Sequence, residues 1–211
     1  MIYGVRGKDG YVGFSLMWSD DLKQWTPEEG NPIFGPPDWA LPGATCKDVH
    51  LQLHDGVWLL YYITMDREGY CCVALMSTTD WRSFEDHGCV FRSAPMLRGT
   101  MGIESVAVVP RDGMWHRFFT CGPGLWHAVN PTPMKFVHSR GETFNVGTGL
   151  YCLRPFHATE VIEDRDGHWW LTTDRKEETR RLNRASGRLC YRGSYADEKT
   201  LEEGLYLSRI Q

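Results

Sequence analysis

The chain has 211 residues, 42% of them hydrophobic, and a formal net charge of −4. That is enough apolar residue for one sizeable core, and the absence of a basic stripe argues against a nucleic-acid partner. No apolar run approaches the roughly 20 residues of a membrane span, and residues 1–8 lack the apolar segment of a signal peptide, so a cytoplasmic protein with no membrane partner is expected.

In chain order, the first recognisable element lies near the N-terminus. The stretch from Gly10-Tyr11 to Trp25 matches that from Gly69-Tyr70 to Phe84, with 15 residues from glycine to aromatic in both. It reads as the third strand of a repeating unit, so the chain is expected to begin midway through one. A Pro-rich loop, Pro36-Pro37-Asp38-Trp39, follows.

The clearest unit starts at Lys47. Val49, Leu51 and Leu53 alternate with His50 and Gln52, the pattern of a strand with one buried face. His54-Asp55-Gly56 predicts a hairpin turn. The nearly unbroken apolar run 57–63 predicts a strand packed on both faces. Residues 70–77 supply a third strand, and a short fourth lies near Val90-Phe91. Four antiparallel strands in under 60 residues make one propeller blade.

Asp-Gly recurs at Asp112-Gly113 and Asp166-Gly167, with spacings of 57 and 54 residues. An acid precedes each turn: Asp48, Glu104 and Glu160. The strands flanking these turns repeat the first two strands of the blade, and residues 204–210 read as a third strand closing the last unit. The charged stretch 174–203 is expected to be a solvated insertion. The prediction is an all-β, single-domain propeller of three and a half to four blades, with a partial blade at 1–40 and blades at 41–98, 99–148 and 149–211.

The seven cysteines (Cys46, Cys71, Cys72, Cys89, Cys121, Cys152, Cys190) are odd in number and include no Cys-x-x-Cys. Most fall in apolar runs and are expected to be small buried hydrophobes in a reducing compartment. No ligand pairs with zinc spacing are present. Trp58, Trp115, Trp169 and Trp170 fall in second strands and are expected between blades.

Ser19-Asp20-Asp21-Leu22-Lys23-Gln24-Trp25 resembles the S-x-D-L-x-x-W segment of five-bladed propeller glycosidases, the invertase, levansucrase and arabinanase types of glycoside hydrolase families 32, 68 and 43. Residues 77–84 are a looser copy. Lys47-Asp48-Val49 stands where those families have Arg-Asp-Pro, and Ile103-Glu104-Ser105-Val106 where they have Glu-Cys-Pro or Glu-Ser-Pro. The resemblance implies five blades around a funnel carrying three acids. It implies hydrolysis of O-glycosyl bonds of fructosides, or of arabinosides and xylosides, in an oligo- or polysaccharide. Glu104 would be the general acid and Asp48 the transition-state stabiliser. The first-blade Asp, nucleophile or base, has no counterpart; Asp9 and Asp20 are the nearest N-terminal acids. Both motif prolines are valine here, and the Arg is Lys47, which cannot make a planar bidentate contact.

Further site residues are expected around these acids. His50, two positions past Asp48, is expected on the same face by the period of a strand. Sugar sites stack rings on aromatics, which marks Trp39 and Trp126 as platforms. The resemblance places a His near the axis at the start of the last blade, here His157, on a water or a calcium ion; no other cofactor is expected. Glu160 would serve either substrate or the blade interface, and Asp48 either catalysis or a pairing with Lys47. The alternative function is a non-catalytic carbohydrate-binding or scaffold propeller descended from such enzymes. In either case the ring is expected to need a completing segment or a second copy.

Overall fold

The computed structural model describes residues 1–6, 12–93, 99, 102–121, 124–134, 149–152, 157–175 and 204–210. Among them run fourteen strands in four sheets, each antiparallel and laid down in chain order. The first sheet holds β1 (Ile2–Arg6), β2 (Val12–Trp18) and β3 (Thr26–Pro27). The second holds β4 (Lys47–His54), β5 (Val57–Met65), β6 (Cys71–Thr78) and β7 (Glu85–Arg92). The third holds β8 (Ile103–Arg111), β9 (Met114–Cys121), β10 (Gly124–Asn130) and β11 (Gly149–Cys152). The fourth holds β12 (His157–Glu163), β13 (Trp169–Arg175) and β14 (Gly204–Ile210). This is the all-β propeller expected from the repeat. One boundary moves: β11 pairs with β10, so the third blade ends after Cys152 and not at 148.

The turns follow from the residues at their corners. Asp55-Gly56 has φ of 48° and 79°, and Asp112-Gly113 has 52° and 74°. Both central residues are left-handed, which matches the twist of the flanking strands. The third Asp-Gly is different. Glu163 pairs with Trp169, so the loop is longer, and only Gly167 has positive φ there. The Asp164 carboxylate organises that loop, accepting the backbone N–H groups of Asp166 and His168, each at 2.9 Å.

A second turn recurs between β2 and β3 of the first sheet and between β6 and β7 of the second. The Ser19 hydroxyl accepts the N–H of Leu22 at 2.8 Å, and Asp21 Oδ1 accepts those of Lys23 and Gln24. The Thr78 hydroxyl and Asp80 Oδ1 do the same for Trp81 and for Arg82 and Ser83. Leu22 and Trp81 are thereby held at φ of 60° and 59°. The looser copy of the motif thus starts functionally at Thr78. The backbone donors hold both Asp carboxyls below the usual carboxylate range.

The core lies between the sheets. Leu59, Tyr61 and Ile63 of β5 pack with Val106, Val108 and Phe119 of the third sheet. Leu60 and Tyr62 point the other way, against Phe14 of the first sheet. The strand is buried on both faces, as its unbroken apolar run predicts. Each fully buried side chain of this size contributes roughly 1.5–3 kcal/mol of transfer free energy. Phe118, Trp169, Val109 and Val161 form a smaller cluster between the third and fourth sheets. Cys46, Cys71 and Cys72 are buried free thiols, as expected, but Cys89 reaches solvent.

Candidate functional site

The first strands of the second, third and fourth sheets share one irregularity. Lys47 pairs with Ile63 and His50 with Tyr61, so Asp48 and Val49 together oppose Tyr62. Glu104 pairs with Thr120 and Ala107 with Phe118, so Ser105 and Val106 oppose Phe119. His157 pairs with Asp174 and Glu160 with Thr172, so Ala158 and Thr159 oppose Thr173. Each is a β-bulge, a device that re-aims side chains next to sites. Asp48 and Ser105, first in their bulges, have φ of 55° and 53°.

The bulges correct the reading of one equivalent acid per blade. By register, Lys47, Glu104 and His157 occupy one position, Asp48, Ser105 and Ala158 the next, and His50, Ala107 and Glu160 a third. Asp48, Glu104 and Glu160 are therefore three different positions. The bulge also breaks the period of two, because the extra residue resets the alternation. His50 points with Lys47 toward the third blade and is not placed by parity with Asp48.

Two of the predicted acids do converge. Lys47 Nζ lies 2.5 Å from Glu104 Oε1 and 3.6 Å from Asp48 Oδ2. Asp48 Oδ2 also accepts the N–H of Ser105 at 3.2 Å. Side-chain exposures of 27%, 32% and 33% for Lys47, Asp48 and Glu104 leave the group open to solvent on one side. Partial burial pushes the Lys47 ammonium down, but its hydrogen bond to Glu104 and the two negative charges outweigh that, and its pKa is raised. Thr120 Oγ1 fixes the strand beneath by donating to the Glu104 carbonyl at 3.0 Å.

His50 and Glu160 form a second contact across the same three strands. His50 Nε2 donates to the Val108 carbonyl at 2.8 Å, and its Nδ1 lies 3.3 Å from Glu160 Oε2. His50 is 11% exposed and Glu160 53%. His50 is thus an inter-blade tie with one polar edge, and Glu160 meets it while keeping about half of its side chain in solvent.

Trp39 and Trp126, the expected aromatic platforms, are both half-buried. Trp39 packs on the cluster between the first and second sheets and donates its indole N–H to Asp86 Oδ2 at 2.8 Å. Trp126 packs on the cluster between the second and third sheets. Both rings are held by apolar neighbours that their loop and turn contexts did not reveal. The side chain of His157, and with it the expected calcium position, lies outside the described residues. Among the described residues Asp164, Asp166 and His168 form a group with metal-ligand chemistry. Asp164 already receives the Trp170 indole N–H at 2.8 Å besides its two backbone donors, which is the bonding of a turn.

Sequence reasoning missed a histidine pair. His116 Nδ1 and His127 Nε2 are 3.0 Å apart with rings stacked at 11°. Phe118 stacks on His127 at 4.5 Å, and Trp169 of the fourth sheet meets His116 edge-on at 5.2 Å. The signal was present in the two Trp-His dipeptides, Trp115-His116 and Trp126-His127, on adjacent strands. Arg117 was also missed: it is fully buried, with its guanidinium 4.6 Å from the Phe91 ring.

No protein-family model and no curated protein sequence matches the chain. Solved structures do. A family 32 beta-fructofuranosidase of Bombyx mori aligns with a TM-score of 0.59 at 17% identity, covering 82% of this chain and 39% of that one. A thermostable family-43 glycoside hydrolase gives 0.61 at 15%, covering 82% and 61%. A sucrose-6-phosphate hydrolase from Lactobacillus gasseri gives 0.62 at 14%, covering 99% and 43%. The chain spans less than two thirds of each of these enzymes. At such identities the likeness is one of fold: the chain has the β-propeller fold found in glycoside hydrolases of families 32 and 43.

Proposed function

We propose that the chain is part of a carbohydrate-active propeller that hydrolyses O-glycosyl bonds of fructosides, or of arabinosides and xylosides. Glu104 is the general acid and Asp48 the acid that holds sugar hydroxyls and stabilises the transition state. The observation that supports this reading is the meeting of two carboxylates from adjacent inner strands on one ammonium, Lys47. Glycoside hydrolysis needs a proton donor at the leaving oxygen and a second carboxylate acting as nucleophile or base. In this reading a segment outside the chain, or a second copy, supplies the second catalytic carboxylate.

One observation favours a second reading, saccharide binding without turnover. Glu104 Oε1 already accepts a hydrogen bond from Lys47 at 2.5 Å. A general acid must instead offer a proton from that carboxyl group to the leaving oxygen.

Hydrolysis of aryl furanosides and pyranosides by the chain joined to its completing segment or assembled with a second copy, alongside calorimetry with fructo-, arabino- and xylo-oligosaccharides, separates the two. Turnover abolished by Glu104→Gln supports the enzyme. Binding weakened by Asp48→Asn and Glu104→Gln, without turnover, supports the lectin-like reading. No binding and no turnover would sink both.

A further inference from the structure

At the opposite end of the second blade lies a recess of ≈ 460 Å³ lined by Glu28, Glu29, Gly30, Ile33, Trp81, Arg82 and Phe84. It is remote from the acids. Trp81 packs on Trp58 with ring centroids 5.4 Å apart, and Trp58 pairs with Leu53, six residues along β4 from Lys47. At about 3.3 Å per residue that is about 20 Å.

We propose that this recess is a saccharide-binding site separate from the axial one. The volume lies within the roughly 300–1,000 Å³ of small-molecule sites. Its lining combines an aromatic wall, Trp81 and Phe84, with the carboxylates of Glu28 and Glu29 and the guanidinium of Arg82. Aromatic faces take the C–H face of a sugar ring, while carboxylates and a guanidinium take its hydroxyls. The mixture of charge signs selects a neutral polyol. A cationic ligand would be opposed by Arg82, and an anionic one by the two glutamates.

The aromatic wall is held by its own turn and by neighbouring rings. Trp81 has φ of 59°, a strained conformation for a bulky side chain. The Thr78 and Asp80 caps fix it, and Trp58 and Trp18 hold the ring from two sides, Trp18 at 6.4 Å and 90°. Trp18 is itself 46% exposed. Its indole N–H donates to Glu28 Oε2 at 2.6 Å, which orients the carboxylate at the edge of the recess.

The test is a titration of the full chain with fructo-, arabino- and xylo-trisaccharides, read by the indole N–H signals of Trp18 and Trp81 in 1H–15N NMR. At least one sugar is expected to shift both signals with saturation. Trp81→Ala is expected to weaken that binding roughly fivefold to tenfold. Because Trp81 also packs, the paired surface variant Glu29→Ala/Arg82→Ala is the second arm, with the same direction expected and the fold retained. Glu104→Gln is expected to leave the titration unchanged, which keeps failure of the axial reading distinct. Unshifted indoles at millimolar sugar, shifts that survive Glu29→Ala/Arg82→Ala, or shifts lost in Glu104→Gln would each overturn the proposal.

Discussion

Acid should weaken this propeller through the pair His116–His127. Their nitrogens lie 3.0 Å apart, so a single N–H can sit between them, and a proton on both leaves two donors and two like charges face to face. Burial first, and the neighbouring His116 second, together push His127 down from 6.5 to about 4. The imidazole is therefore neutral in the folded state at pH values where the unfolded chain binds a proton. Stability from this group is complete above pH 6.5, is lost as pH falls through the window between 6.5 and about 4, and changes no further below it. The full shift corresponds to about 3 kcal/mol at 1.36 kcal/mol per unit; partial solvent access reduces the expectation to about 2 kcal/mol. The loss falls on the contact between the third and fourth blades, because His116 abuts Trp169. Urea unfolding of the wild type and of His127→Gln at intervals from pH 7.5 to 4 measures it. The wild type is expected to lose about 2 kcal/mol more than the variant across the window. Parallel pH profiles for the two proteins would refute the argument, as would an imidazole NMR titration placing His127 at or above 6.5.

Three further outcomes are expected. Lys47→Met leaves the Asp48 and Glu104 carboxylates without their shared cation and should cost about 1–2 kcal/mol in urea unfolding, less at high salt; unchanged or higher stability would show that the ammonium is dispensable. Gly56→Ala and Gly113→Ala meet no neighbouring atom but sit at φ of 79° and 74°, so each should cost about 1–2 kcal/mol from backbone strain alone, while Gly4→Ala, in open space without positive φ, should be close to neutral by the same thermal-melt comparison. Alkylation followed by peptide mapping should modify Cys89 before Cys46, Cys71 and Cys72: Cys89 is exposed, whereas the other three are buried and burial pushes Cys46 up to about 11.

The fold was legible because its signals are local. Asp55-Gly56 and Asp112-Gly113 demand left-handed corners, the run 57–63 can only be satisfied by burial on both faces, and Ser19 and Asp21 cap their own turn. Each of these fixes a turn or a strand without knowledge of any distant residue. Asp48 and Glu104 were singled out through a resemblance of short motifs, and the structure brings both to Lys47. The partners were not legible. A β-bulge adds one residue to a strand without changing its composition, so no periodicity reveals that Lys47 and Glu104 occupy one register position, or that His50 turns toward Val108 and Glu160. The loop and turn around Trp39 and Trp126 did not reveal that each ring also packs, half-buried, against a cluster between sheets. The sequence by itself determined the repeating four-strand unit and its turns, since these depend on residues a few positions apart. Only the tertiary structure decided which charges meet, because contacts between blades join residues 57 apart, and single-residue shifts in pairing decide which way each side chain points.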